Sequence, residues 1–158
     1  MTRRYGRSAD GSRCVDAAPL STPKNTTVLS SIRYNGEICS SVYSGGTTGD
    51  VFANYLKNIL IPTLHKGDIV VMDNMRSHHV DDVAKAFENT GISFCYLPPY
   101  SPDFNPIEKM WSKLKSILRK WKIRLFSSLP NAIIDALKLV SVSDCQHWFN
   151  KATLCSSL

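Results

Sequence analysis

Ile69-Val70-Val71-Met72-Asp73-Asn74 is the stretch on which the fold turns. Four apolar residues, three of them β-branched, stand between the turn Gly67-Asp68 and the pair Asp73-Asn74. A run this short, with turn residues at both ends, reads as a buried strand rather than a helix. After it, Val80, Val83, Ala84 and Phe87 repeat at helical spacing, and Gly91 stands where a helix cap belongs. Ile92 to Leu97 reads as another strand. Before it, Val51, Tyr55 and Ile59 share a helix face that follows the break Gly45-Gly46-Thr47-Thr48 and ends near Pro62. Further upstream, Thr27 to Tyr34 and Glu37 to Tyr43 read as two strands. Asn35-Gly36 between them supplies the positive φ angles of a two-residue turn, which makes a hairpin.

Downstream lies the Pro-rich loop Pro98 to Pro106, then the clearest helix in the chain. Ile107, Trp111, Leu114, Leu118 and Trp121 form its apolar stripe. Lys109, Lys113, Lys115, Arg119, Lys120, Lys122 and Arg124 occupy the rest of it and its end. Two more helices are expected near Leu129 to Val140 and Asp144 to Ala152, within a C-terminal helical part spanning 125–158. The order hairpin, helix, strand, helix, strand, helices predicts a mixed α/β domain built around one sheet and spanning residues 1–158. In such sheets, sites form at the carboxyl ends of strands. Asp73 stands at one such end, and the Pro-rich loop leaves another.

The chain has 158 residues, 19 Lys+Arg against 13 Asp+Glu, a net charge of +6 and a pI near 9.1. That length suits one domain. With 43% hydrophobic and 20% charged residues, it is neither disordered nor collagen-like. No apolar run approaches the roughly 20 residues of a membrane helix, so no membrane role is expected. The basic start lacks the apolar stretch of a secretory signal. Residues 1–25 read as an irregular basic segment with Arg3, Arg4, Arg7 and Arg13. The charge allows a polyanionic partner, most simply nucleic acid. Cys14, Cys39, Cys95, Cys145 and Cys155 are odd in number and widely spaced. They argue against a disulfide framework or a cysteine zinc site, and for reduced thiols in a cytosolic protein.

Asp73 closes a strand and Glu108 opens a basic helix, with 34 residues between them. Two adjacent strands would bring the acids together, and such a pair can hold Mg²⁺ or Mn²⁺ through hard oxygen ligands. A pair of such ions serves phosphodiester chemistry. Both acids have a plainer reading. Asp-Asn after a strand is ordinary turn chemistry. Asn105-Pro106-Ile107-Glu108 is a good helix start, with Asn as cap, Pro in first position and Glu in third.

Val71-Met72-Asp73-Asn74-Met75-Arg76-Ser77-His78 and the block Tyr96 to Trp111 resemble the DDE transposases of the mariner superfamily, nearest its bacterial insertion-sequence branch. The likeness runs from the first residues to about residue 150. It implies a ribonuclease H-like fold and two-metal DNA strand cleavage and joining with Mg²⁺ or Mn²⁺. The second and third acids of that family fall on Asp73 and Glu108, at matching spacing. Asn74 and His78 match the polar residues after the second acid. His78 then steadies the metal site or contacts a phosphate, unless it only caps or packs. His79 has no matching role and reads as surface. Pro99, Tyr100, Ser101, Pro102, Asp103, Asn105 and Pro106 match the family's second block, a rigid turn that sets the angle of the Glu108 helix. Tyr100 either packs there or stacks on DNA. Arg3, Arg4, Lys109, Lys113, Lys115 and Arg119 are candidate DNA contacts, or else part of a solvated face. Trp111 and Trp121 read as core.

The family's first acid lies on a central strand, in an Asp-Glu pair before a basic stretch like Thr2 to Arg7. Neither Asp10 nor Asp16 suits that role. The expectation is therefore a chain truncated at its N-terminus, without the helix-turn-helix region or the first strand. Such a chain is expected to be poorly stable or aggregating, and inactive alone. Its partners would be DNA and either a second copy or a polypeptide that carries the missing part, in a bacterial cytoplasm at the nucleoid. Two other readings are a non-enzymatic DNA-binding remnant that modulates full-length transposase, and a small phosphate-binding α/β module. No Gly-rich phosphate loop supports the module.

Overall fold

Strands β1 (Thr26–Ile32) and β2 (Ile38–Ser44) pair antiparallel in a computed structural model that describes residues 7–15, 25–79, 81–123 and 125–152. Arg3, Arg4, Asp16, Val80, Arg124 and Cys155 lie outside the described residues. The hairpin turn differs from the expected two-residue form. Gly36 N–H donates to Arg33 O at 3.0 Å and Arg33 N–H to Glu37 O at 2.9 Å, which makes a three-residue loop. Gly36 alone takes positive φ, at 91°. Asn35 instead accepts from Glu37 N–H through its side chain at 3.1 Å. That is the bulged hairpin turn, with glycine at the left-handed position. A Cβ on Gly36 would come within 2.8 Å of Val142, so the turn also sits too close to the last helix for any other residue.

The two hairpin faces pack on different cores. Val28, Ile32, Ile38 and Val42 alternate onto one face and meet helices α3 (Ile107–Trp121), α4 (Leu129–Leu137) and α5 (Val142–Lys151). Leu29 and Cys39 face the second core, formed by helix α1 (Gly49–Tyr55), its continuation, helix α2 (Asp81–Phe87) and strands β3 (Ile69–Met72) and β4 (Ser93–Tyr96). Alternation of period two is what lets one strand serve both cores. After Tyr55, α1 widens into a π turn over Leu56–Leu60 and tightens into a 3-10 turn over Ile61–Thr63, before the extended Leu64. The widened turn shifts the buried set to Phe52, Tyr55, Leu56 and Leu60. After α2, Asn89 (φ 59°) is the left-handed residue nearest the helix end, while Gly91 lies against Lys66. The innermost residue of α3 is Met110, fully buried with Leu114 and Leu118, whereas Trp121 is 41% exposed. Each such buried side chain contributes about 1.5–3 kcal/mol. Cys14, Cys39, Cys95 and Cys145 are all free.

The strands form two two-stranded sheets rather than one ladder. β3 and β4 run parallel, from Ile69 opposite Ser93 to Met72 opposite Tyr96. Among the described residues no strand joins them to the hairpin. Besides the packing of Leu29 and Cys39 on the second core, Arg33 just after β1 links the halves: its two terminal nitrogens each meet an Asp68 oxygen at 2.7 Å just before β3. β3 is also less buried than a central strand should be. Val70 and Met72 face the second core, but Ile69 and Val71 stand 60% and 47% exposed on a bare opposite face. The fold is nonetheless the expected mixed α/β class, small sheets flanked by helices, consistent with a ribonuclease H-like domain.

Two ion pairs tie distant parts together, and their titration can be checked. Asp68 is held down to about 2 by Arg33 and by the His65 N–H. Partial burial alone would raise Asp144, but Lys113 and Ser141 outweigh it and hold it at about 2. Both folded-state values lie below the ordinary carboxyl value near 3.8. Their stabilisation is therefore present above about pH 4 and lost as pH falls toward 2. Acid unfolding followed by circular dichroism should show a decline in that window. Asp144→Asn should be less stable at pH 7 and less sensitive to acid than the native chain.

Candidate active site

Met72 O accepts from Leu97 N–H at 2.8 Å, which ties the end of β3 to the residue that follows β4. Both chains then turn away, and a cleft of about 430 Å³ opens between them. Asp73, Asn74 and Met75 line one side, Leu97 and Pro98 to Pro102 the other, with Asn105 and Glu108 completing it. The acids separated by 34 residues in sequence thus border one space at the carboxyl ends of parallel strands.

Asp73 is half-buried, and its Oδ1 is fully buried without a hydrogen bond. His78 Nδ1 lies 2.7 Å from that oxygen and 3.1 Å from the Asp73 carbonyl. Only the approach to the carbonyl has hydrogen-bond alignment, so the carboxylate oxygen is close to the imidazole yet unsatisfied. His78 is itself buried, its ring stacked on Phe52 with centroids 3.8 Å apart. The Tyr96 hydroxyl donates to the His78 carbonyl. Burial pushes that phenol upward from its ordinary value. His78 therefore stands behind Asp73, its ring against Phe52 and its carbonyl held by Tyr96. His79 is exposed, but not idle: it contacts the Asn74 amide oxygen and lies against the Tyr96 ring.

Glu108 is exposed in the first turn of α3. Just before that helix, Asn105 Oδ1 accepts from Ile107 N–H at 3.2 Å. Among the described residues Glu108 makes no return bond to complete a capping box, so its carboxylate is left to the cleft. The loop is braced from within: Ser101 Oγ donates to Pro99 O, and a 3-10 turn covers Pro102–Phe104. Tyr100 departs from both packing and ordinary backbone. Its φ is 56°, a left-handed conformation that costs a non-glycine residue about 1–2 kcal/mol. Its side chain is fully exposed. The packing alternative for Tyr100 is thereby removed. Asp103 and Pro106 shape the loop without bordering the cleft.

Lys109, Lys115 and Arg119 are exposed on α3. Glu108, Lys115 and Arg119, at positions i, i+7 and i+11, share one face of that helix. Lys113 is placed otherwise than expected for a DNA contact. Its ammonium pairs with Asp144, which also accepts from Ser141 N–H and Oγ in the capping box of α5. Asp10 is exposed and bonded to Ser12 within its own turn, away from any site role. Phe52, Tyr96 and Met75 were not foreseen as site residues. Phe52 was findable as the i−3 and i−4 partner of Tyr55 and Leu56. Nothing in the local sequence marks Tyr96 as a neighbour of His78.

Among the described residues no three His, Cys, Asp or Glu side chains gather into a metal-holding group. The cleft offers two carboxylates, one with a buried oxygen lacking a hydrogen bond. Those are hard oxygen donors that fit Mg²⁺ or Mn²⁺, which take one or two carboxylates and fill the rest with waters and phosphate oxygens. A second cleft of about 340 Å³ borders Arg33 and Cys39, but Arg33 is already paired with Asp68 and Glu37. The family model described as DDE superfamily endonuclease matches residues 1–130. No curated protein matches the chain.

Proposed function

The chain belongs to the DDE superfamily endonucleases, and we propose that it supplies Asp73 and Glu108 to a divalent-metal centre for DNA strand cleavage and transfer. The family acts on DNA and depends on divalent metal. The observation that carries the assignment is the shared cleft. Two acids far apart in sequence border one cleft at the strand ends, and neither is consumed by turn or capping bonds. We place the chain in the mariner superfamily, insertion-sequence branch, on the blocks Val71 to His78 and Tyr96 to Trp111.

Each residue has a stated task. Asp73 and Glu108 hold Mg²⁺ or Mn²⁺, which supplies activation of a water or 3′ hydroxyl and charge neutralisation at the phosphodiester. His78, locked on Phe52, fixes where the Asp73 carboxylate sits. The proline-rich loop fixes the start of α3 and with it Glu108. Lys115 and Arg119 continue along the Glu108 face and hold phosphates of the bound strand, each adding to salt dependence. Among the described residues the cleft holds two acids, one short of the family's set, so they are expected to bind metal without cleaving DNA by themselves. A third acid, on a strand seated between β1 and β3, would complete the set. The described helices include none long and apolar enough to cross a membrane.

The test is Mn²⁺ titration of the full chain, read by loss of the free-ion paramagnetic resonance signal, with and without a short oligonucleotide. Binding that tightens with DNA is the expected result. No Mn²⁺ binding in either condition overturns the assignment. Mn²⁺-dependent nicking by the chain alone overturns the claim that a third acid is needed. The alternative of a non-enzymatic DNA-binding remnant predicts DNA binding indifferent to Mn²⁺.

A further inference from the structure

We propose that Tyr100 is a stacking platform for one unstacked nucleobase of the DNA strand held in the Asp73–Glu108 cleft. The inference rests on the function argued above and names a binding residue for it. Tyr100 combines two features that a fold avoids without return. Its backbone is left-handed at φ 56°, where a side chain is disfavoured and glycine is the ordinary choice. Its ring is fully exposed and meets no other aromatic ring among the described residues. A residue kept for packing would be buried, and a residue kept for the turn would be glycine. Strain of this kind, in a loop beside two cleft acids, marks a group held out for a ligand.

The ligand follows from the surroundings. A phosphodiester engaged at the acids carries its sugar and base outward to the cleft wall. Tyr100 forms part of that wall beside Pro99, with Met75, half-exposed, across from it. The ring accepts any base, since every base has a π face. A base inside a duplex has both faces covered, so the platform takes one that is frayed or flipped. The site therefore prefers single-stranded or end-distorted DNA to intact duplex.

The experiment is fluorescence anisotropy of a labelled oligonucleotide, single-stranded and duplex, titrated with the full chain at dilute concentration and fixed salt in Mn²⁺. Tyr100→Ala should bind the single strand about tenfold more weakly, within the range of one lost stacking contact. Its duplex affinity should change less than about twofold, since intact duplex offers the ring no free base face. Tyr100→Phe should retain native affinity. Tyr100→Gly should lose as much as the alanine variant, although it relieves the backbone. A glycine variant that binds as well as the native chain overturns the platform, because the loop conformation alone would then suffice. Unchanged single-strand affinity in Tyr100→Ala overturns it too and leaves the cleft assignment standing. A native chain that binds neither form of DNA overturns both.

Discussion

Asp73→Asn is expected to lower the Mn²⁺ affinity of the chain by about 100-fold or more while leaving its fold intact. Loss of an outer partner of a metal ligand already costs roughly 10- to 100-fold, and Asp73 is placed as a ligand itself. The structural ground is the buried Oδ1, which has His78 Nδ1 at 2.7 Å but no hydrogen bond. An unsatisfied buried acceptor costs a protein about 1–3 kcal/mol. With Oδ1 held against His78, the exposed remainder of the carboxylate is left to bind a cation from the cleft. Asparagine keeps the size of the side chain and its place at the end of β3. The circular dichroism spectrum of the metal-free variant should therefore match that of the native chain. Glu108→Gln should weaken binding less, because that carboxylate is exposed and its long side chain is not locked by a neighbour like His78. Calorimetric Mn²⁺ titration of the three proteins checks this, with circular dichroism to confirm equal folding. Native-like affinity in Asp73→Asn would remove the metal assignment. Nicking is the wrong readout here, since the native chain alone is expected to show none.

Much of this was legible in the residues, and what was not has physical causes. The strand Ile69–Met72 was readable because a short apolar run between turn residues has few alternatives. Its bare face was not, because a short apolar run does not say whether anything packs over each of its sides. The hairpin was readable from Asn35-Gly36. Its loop length was not, since the pair serves both two- and three-residue turns, and the contact of Gly36 with Val142 is long-range. The stripe on α3 gave the helix but missed Met110, because a narrow apolar face does not fix which flanking residue turns inward. Lys113 belonged by charge to a DNA-facing set, and only the packing of α5 on α3 redirects it to Asp144. The two acids were visible as candidates, but their turn and capping readings could be set aside only by their hydrogen bonds. Tyr100 could not be resolved by sequence at all, since positive φ at a non-glycine residue leaves no local signature.

The isolated chain is expected to unfold without a sharp transition or to self-associate, and a polypeptide that seats one strand between β1 and β3 should make it cooperative and monomeric. β3 has β4 on one edge and, among the described residues, nothing on the other. The hairpin forms a separate sheet. An open edge presents a row of unpaired N–H and C=O groups, which is a template for intermolecular pairing. Beside that edge, Ile69 and Val71 leave an apolar face bare. Arg33 and Asp68 set the end of β1 beside the start of β3, which suits an antiparallel placement of the two strands. One inserted strand could then pair antiparallel with β1 and parallel with β3. Its carboxyl end would lie next to Asp73, where a third acid belongs. A four-residue strand with two neighbours makes about eight ladder hydrogen bonds, each contributing about 0.5–1.5 kcal/mol net. That sum rivals the 5–15 kcal/mol that separates a folded domain from its unfolded state, so its absence should be plain in any melt. Light scattering after size exclusion, with unfolding followed by two spectroscopic probes, checks the prediction. A single monomeric transition with coincident probes, unchanged by the added polypeptide, would show that the two small sheets suffice as they stand.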